Sequence, residues 1–246
     1  MRSMQPKIAD LLPELNVARR SARAPTAAGH VYSGLRERIL NLDLPPRTTL
    51  VRAQIASDYE VSQTPVREAL LQLEQDGLIK TYPQSRTVVT EIDLEQLAEA
   101  HFLRVAVEIE VVRSLCLRHD PALTRKAHAI LQMQATLEGN TTETTLFNEL
   151  DTAFHEVLFL AAGQPNLHLL LRSRMGHLAR ARRLDLPSKG KMKAILHGHR
   201  AILKGIDSGI EAQATAAMRD HLSGTISRLD RLVKEHPGFF KAKNRD

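Results

Sequence analysis

The apolar residues Val31, Leu35, Ile39 and Leu42 recur at helical spacing, and Pro45 and Pro46 close the run, which predicts a helix over residues 30–42. A second, two-turn helix is expected over 54–59, with Ile55, Ala56 and Tyr59 on one face and a turn at Glu60, Val61 and Ser62 after it. Ser62 or Thr64 is a good cap for a third helix, and Pro65 is tolerated in its first turn, where a missing N–H costs nothing. Val66, Ala69, Leu70 and Leu73 form its inward stripe, Gln63, Thr64 and Arg67 face outward at its start, and Gly77 ends it. Two short β-branched or aromatic runs, 78–82 and 87–91, flank Pro83, Gln84, Ser85 and Arg86 and read as a hairpin. Three helices and a hairpin predict a winged helix-turn-helix.

From Asp93 onward the pattern is helical almost without interruption. Breaks near 120–121, 139–140, 163–165, 186–190 and 207–209 imply about six helices, which short loops would fold into an antiparallel bundle. Residues 1–29 show no sustained periodicity apart from Ile8, Leu11, Leu12 and Leu15. The fold expected is therefore mostly α: a flexible arm (1–29), a winged helix-turn-helix (30–91), an all-helical domain (92–236) and a basic tail (237–246).

Composition narrows the reading. With 246 residues and only 4% aromatics, a large sandwich or barrel is disfavoured. The single cysteine, Cys116, excludes an internal disulfide framework and reads as inert packing in a reducing compartment. No run of 18 apolar residues and no secretory h-region are present, so a cytoplasmic protein without a membrane partner is expected.

The net charge of +6 invites a simple nucleic-acid argument, but its distribution does not support one. Residues 30–90 are neutral overall, 1–29 carry +3 and 237–246 carry +2. Within the helical part, 91–171 carries −7 and 172–193 carries +7. DNA binding must then rest on a local basic face. The candidates are Arg67, Gln63, Thr64 and Ser62 on the third helix, with Arg52 and Arg86, and more weakly Arg36, Arg38 and Arg47, as phosphate contacts.

The run VSQTPVREALLQLEQDGLI (61–79) closely resembles the GntR family of bacterial transcription regulators, and the resemblance extends over residues 30–90. It implies that Arg67 is the principal DNA-contacting arginine. Three positions depart from the family pattern: Gln63 stands where Arg is frequent, Glu60 where the turn usually has Gly, and Arg86 near the usual wing-tip Gly. Gln63 would favour adenine where Arg favours guanine.

Ten of the eleven histidines lie between residues 101 and 236. Asp151 and His155 are four apart on one helix and leave the same face about 6 Å apart. His199 and His221 flank the turn at 207–209 almost symmetrically, so they reach similar heights on neighbouring helices. One carboxylate and three imidazoles suit a divalent transition metal such as Zn²⁺, Ni²⁺ or Mn²⁺. His197 points away from His199 as a solvated neighbour, and His101, His119, His128, His168, His177 and His236 have no evident partner.

The same four positions, within DTAFHEVLF (151–159), HRAILKGIDSGI (199–210) and AMRDHL (217–222), resemble the FCD-type ligand-binding domain of the FadR subfamily, and six helices would suit its VanR-like branch. The resemblance implies a carboxylate-binding arginine at Arg104; an ion pair with Glu108 is the alternative. It also implies a homodimer that binds a two-half-site duplex operator and answers to a small organic-acid effector, with repression as the commoner logic. A metal-dependent hydrolase using the Asp and His residues, and a regulator with a purely structural metal, are the rival readings. The basic segment 172–193 would either touch DNA or pair with the acidic 91–171 region.

Overall fold

The computed structural model describes residues 26–83, 85–118 and 120–242. Most of the expected arm, including Ile8, Leu11, Leu12 and Leu15, lies outside the described residues, as do Gln84, His119 and residues 243–246.

Helix α1 (Ala27–Leu40) begins three residues before the expected start because Thr26 caps it, its hydroxyl accepting from the Gly29 N–H at 3.1 Å. Strand β1 (Thr49–Leu50), helix α2 (Arg52–Asp58) and helix α3 (Gln63–Gln75) follow. Ser62 holds the cap position of α3 in extended geometry without a capping side-chain bond, and Thr64 lies inside the helix. Gly77, at φ +72°, closes α3: its N–H donates to Glu74 O and that of Leu78 to Leu73 O, the paired bonds of a Schellman ending. Strands β2 (Ile79–Tyr82) and β3 (Arg86–Val89) form the hairpin, and β1 pairs with β3, giving an antiparallel sheet in the order β1-β3-β2. The sequence pattern missed β1, since two residues, Thr49 opposite Val88 and Leu50 opposite Thr87, are too few to show a period.

The helical domain contains α4 (Leu94–Arg118), α5 (Arg125–Ala135), α6 (Thr144–Ala161), α7 (Pro165–Arg174), α8 (Gly176–Asp185), α9 (Lys191–Asp207), α10 (Glu211–Ser223) and α11 (Leu229–Glu235). These eight among the described residues replace the six expected. The extra breaks, at Met175 and after Ser223, carry no proline to announce them. Short 3₁₀ turns precede α6 and flank α11.

Three apolar clusters organise the chain. Val31, Leu35, Ile39, Ile55, Val66, Leu70 and Leu73 make the core of the winged helix. A larger core includes Val112, Leu115, Phe147, Phe154, Phe159, Leu196, Ile202 and Met218. A third, smaller cluster joins Ile92, Leu97 and Ala100 to Leu178, Ala181, Leu232 and Phe240 at the junction of the two parts. Residues 237–242, expected as part of a basic tail, belong to this junction: the Ile92 N–H donates to Phe239 O at 2.8 Å, the Lys241 N–H to Ile92 O at 2.9 Å, and Lys241 Nζ meets Asp93 at 2.9 Å. Cys116 is buried and packs near Gly205 O, with burial pushing its thiol pKa up.

Candidate functional site

At the first turn of α3, Ser62, Gln63, Thr64 and Arg67 are all exposed, while Val66, Ala69, Leu70 and Leu73 are buried beneath them. The amphipathic stripe sets this division, because placing Val66, Ala69, Leu70 and Leu73 inward leaves position 67 on the flank of the helix, about 110° from the middle of the stripe. Arg52 opens α2 and is exposed; Arg86 opens β3, exposed, with its guanidinium 5.7 Å from the Tyr82 ring centre. Arg38 is also exposed. Arg36 is turned inward instead, donating to Arg172 O at 2.6 Å and lying 3.9 Å from Asp76, so it is not free for a phosphate. Arg47 pairs with Glu91 at 2.6 Å. Glu60, where the family favours glycine, holds the left-handed backbone at φ +53° that the turn requires.

In the helical domain, α6, α9 and α10 bring Asp151, His155, His199 and His221 together, with one ligand atom from each lying within 4.8 Å of the others. His155 Nε2 stands 3.2 Å from His221 Nε2, and His199 Nε2 stands 3.5 Å from Asp151 Oδ1. The opposite edges of two rings are fixed. Glu108 Oε2 meets His155 Nδ1 at 2.5 Å, and Gln134 Oε1 meets His199 Nδ1 at 2.9 Å, so both imidazoles aim Nε2 at the centre. Phe154 stacks on the His199 ring at 3.8 Å between centres. His197 is exposed and outside the group, as its helical phase demands.

Two atoms at the centre, Asp151 Oδ1 and His199 Nε2, are buried without a hydrogen-bond partner. A buried polar atom left unpaired is costly, and two facing each other inside a set of imidazoles fit a cation between them. The protonation states agree. Burial pushes the His199 pKa down to about 3 and that of His221 well below its usual value, keeping both rings neutral and able to donate a lone pair. Burial would raise Asp151, but the Arg182 guanidinium holds its carboxyl well below the ordinary range. Glu108 behaves likewise: burial raises it, yet Arg104 and His155 bring it down to about 2.

Arg104 pairs with Glu108, Nε to Oε1 at 2.6 Å, both side chains buried, so the ion-pair alternative describes its contact here. The pair also ties Arg104 to the site, since the same carboxylate orients His155. Glu108, Gln134 and Arg182 are the supporting residues that the pattern did not assign to the centre. Glu108 carried a signal, four residues after Arg104, and Arg182 a weaker one, as part of the basic segment 172–193 expected to touch DNA or pair with the acidic 91–171 region; Gln134 carried none.

Several other histidines do have partners. His128 Nε2 meets Asp207 at 2.8 Å, His177 Nδ1 accepts from the Asp93 N–H at 2.9 Å, and the His168 ring lies against Phe159. The basic segment is engaged within the chain: Arg182 pairs with Asp151, Arg183 donates to Thr145 Oγ1, Arg180 is fully buried, and Lys191 pairs with Asp185. No helix among the described residues is long and apolar enough to cross a membrane.

A winged helix ahead of an all-helical domain is the architecture of a transcription regulator, and the chain belongs to the GntR family. Residues 27–89 match the bacterial regulatory proteins of the gntR family and residues 96–224 match the FCD domain. A helix-turn-helix transcriptional regulator in an unstable DNA locus of Streptomyces ambofaciens is 33% identical over 210 residues, 85% of this chain and 88% of the relative. The transcriptional repressor RspR of Escherichia coli K12 is 25% identical, covering 85% of this chain and 92% of that one. Among solved structures, E. coli McbR/YncC superposes with a TM-score of 0.71 at 16% identity, over 86% of this chain and 99% of the other, which shows the shared fold. The family and these relatives are transcription regulators, which sets the hydrolase reading aside.

Proposed function

We propose that this regulator is a repressor that binds two operator half-sites as a homodimer and is controlled by a small carboxylate bound at a divalent-metal centre in its helical domain. The observation that carries the reading is the convergence of Asp151, His155, His199 and His221 with two buried, unpaired ligand atoms among them. The donor set of one carboxylate oxygen and three imidazole nitrogens suits Zn²⁺, Ni²⁺ or Mn²⁺, and the metal would supply a positive centre for an anionic ligand. Charge supports the ligand class. Asp151 and Glu108 are balanced by Arg182 and Arg104, so a divalent cation would leave the centre positive and in need of an anion. Arg104, within electrostatic reach of His199 and His221, is the residue proposed to receive the carboxylate, its planar fork matching the two oxygens.

On the DNA side, Arg67, Gln63 and Thr64 would enter the major groove, while Ser62, Arg52 and Arg86 would reach phosphates beside it. A homodimer is favoured by the apolar residues left exposed on two touching helices: Phe102 and Leu103 on α4, and Leu167, Leu169 and Leu170 on α7. The test is operator selection from random duplexes, followed by binding with and without metal and a panel of organic acids. Wild type should bind a two-half-site duplex that Arg67→Ala does not, and His199→Ala should keep operator binding but lose metal and the acid response. Equal operator binding by Arg67→Ala, or an unaltered acid response in His199→Ala, would overturn the reading.

A further inference from the structure

Helix α8 is short, about 15 Å at 1.5 Å per residue, yet it touches both halves of the protein. Toward the helical domain, Arg182 reaches the Asp151 carboxylate. Arg180 lies two residues earlier, about 200° around the helix, and so faces the other way. It is fully buried against the chain leaving the wing. Its Nη1 donates to Thr90 O at 2.5 Å and its Nη2 lies 3.3 Å from Thr90 Oγ1, whose hydroxyl in turn donates to Gly77 O at the end of α3. Arg180 Nη2 and the Asp93 N–H both point at His177 Nδ1, at 3.1 and 2.9 Å.

The contact is also steric. Leu78 packs where Gly176 has no side chain, so closely that a Cβ would stand 2.6 Å from Leu78 Cδ2. Leu178 and Ala181 complete it through the junction cluster with Ile92 and Phe240. At the far end Asp185 is tied to Lys191, Thr225 and Arg228, which prevents the helix from fraying.

We propose that α8 is the strut through which the Asp151 centre and the winged helix act on each other, with the Arg182–Asp151 pair as its switchable end and the Arg180–Thr90 clamp as its fixed end. Asp151 is shared: its Oδ2 holds Arg182 while its Oδ1 faces the centre, so a cation on Oδ1 draws negative charge away from the oxygen that holds Arg182, and an arriving anion competes with Asp151 for Arg182. Either event changes what holds α8 on one side. On the other side α8 cannot slip, because doing so would unpair a buried guanidinium and drive Gly176 onto Leu78, so the displacement passes to residues 90–93. Allostery then has two distinct sites and one element biased by both. The metal as input rests on the function proposed above; the link from Arg182 to Thr90 does not.

Amide hydrogen exchange on the full chain tests this directly, since the Asp93 N–H is itself part of the clamp and those of Thr90 and Ile92 are bonded to Leu78 O and Phe239 O. In chelator-treated wild type, Zn²⁺ should slow exchange in peptides containing His199 and His221 and also change exchange over residues 90–93 by roughly three-fold or more. Arg182→Gln, without metal, should alter exchange over 90–93 although residue 182 touches none of them. Arg180→Met, or the milder Thr90→Val if that variant does not fold, should keep the Zn²⁺ response of the histidine peptides and lose it over 90–93. A Zn²⁺ response confined to the histidine peptides in wild type, or unchanged exchange over 90–93 in Arg182→Gln, would overturn the strut. Absence of any Zn²⁺ effect together with altered 90–93 exchange in Arg182→Gln would overturn the metal centre and leave the strut supported.

Discussion

His221 occupies space that a side chain at Gly198 would need: a Cβ on Gly198 would stand 2.7 Å from His221 Nδ1 and 3.1 Å from its Cβ. Glycine inside a helix costs up to about 1 kcal/mol relative to alanine, so its presence in α9 is informative. Gly198→Ala should push the His221 ring aside, lowering metal affinity by at least ten-fold with the α-helical content kept; isothermal titration with Zn²⁺ and far-ultraviolet circular dichroism would check both halves. At the DNA end, the bases recognised should follow one side chain. Replacing Gln63→Arg is expected to move the preferred base opposite position 63 from adenine to guanine, a discrimination of about 1–3 kcal/mol, measurable by selection from random duplexes. Position 63 was legible in the sequence because it opens the helix, ahead of the first buried residue of the stripe, Val66. The partners of the histidines were not, because Glu108 and Gln134 reach them from other helices.

At the level of elements, the pairing of α9 with α10 depends on a second glycine seven residues on. Gly205 faces Ala214 so closely that a Cβ would stand 2.6 Å from its backbone nitrogen. Positions 198 and 205 are two turns apart, so both lie on the face toward α10. Gly205→Val should separate the helices and destabilise the fold by about 1–3 kcal/mol, as overpacked cores do, read from the shift in urea midpoint. The long α4 and α6 were readable from their apolar period, as was the ending of α3 from Gly77. The break between α7 and α8 was not, since the chain there turns at Met175–Gly176 to accommodate Leu78 of the winged helix, a contact between residues almost a hundred positions apart.

For the molecule as a whole, two buried histidines predict how stability depends on pH. Burial pushes His168 down to about 3 and His177 to about 4, and at His177 the donors Asp93 N–H and Arg180 require an unprotonated Nδ1. The unfolded chain binds these protons near the ordinary pKa of about 6.5 while the folded chain does not. Stability is therefore full above that pH and is lost as pH falls toward 4 and then 3, at about 2 kcal/mol for each residue by pH 5. Urea unfolding in chelator between pH 7.5 and 5 should show the fall, and His168→Phe should make it shallower by about 2 kcal/mol at pH 5. Assembly is a second whole-molecule property. Phe102 is 77% exposed, and if the proposed dimer forms through this face, Phe102→Glu should leave a monomer in sedimentation and weaken binding of a two-half-site duplex far more than of a single half-site.

The sequence by itself determined the helical class, the inward and outward faces of the winged helix, and the candidate ligands Asp151, His155, His199 and His221. The first two follow from local periodicity, a property of neighbouring residues, whereas the ligand grouping also needed the symmetric placement of His199 and His221 about the turn at 207–209 and the resemblance to the FCD-type domain. Tertiary structure alone decided that Glu108 orients His155 and Gln134 orients His199, that Arg36 and Arg180 face inward, and that residues 237–242 close the junction between the two parts. Each of these depends on which helices are brought together to bury their apolar faces, and the charged groups that meet there are placed by that packing.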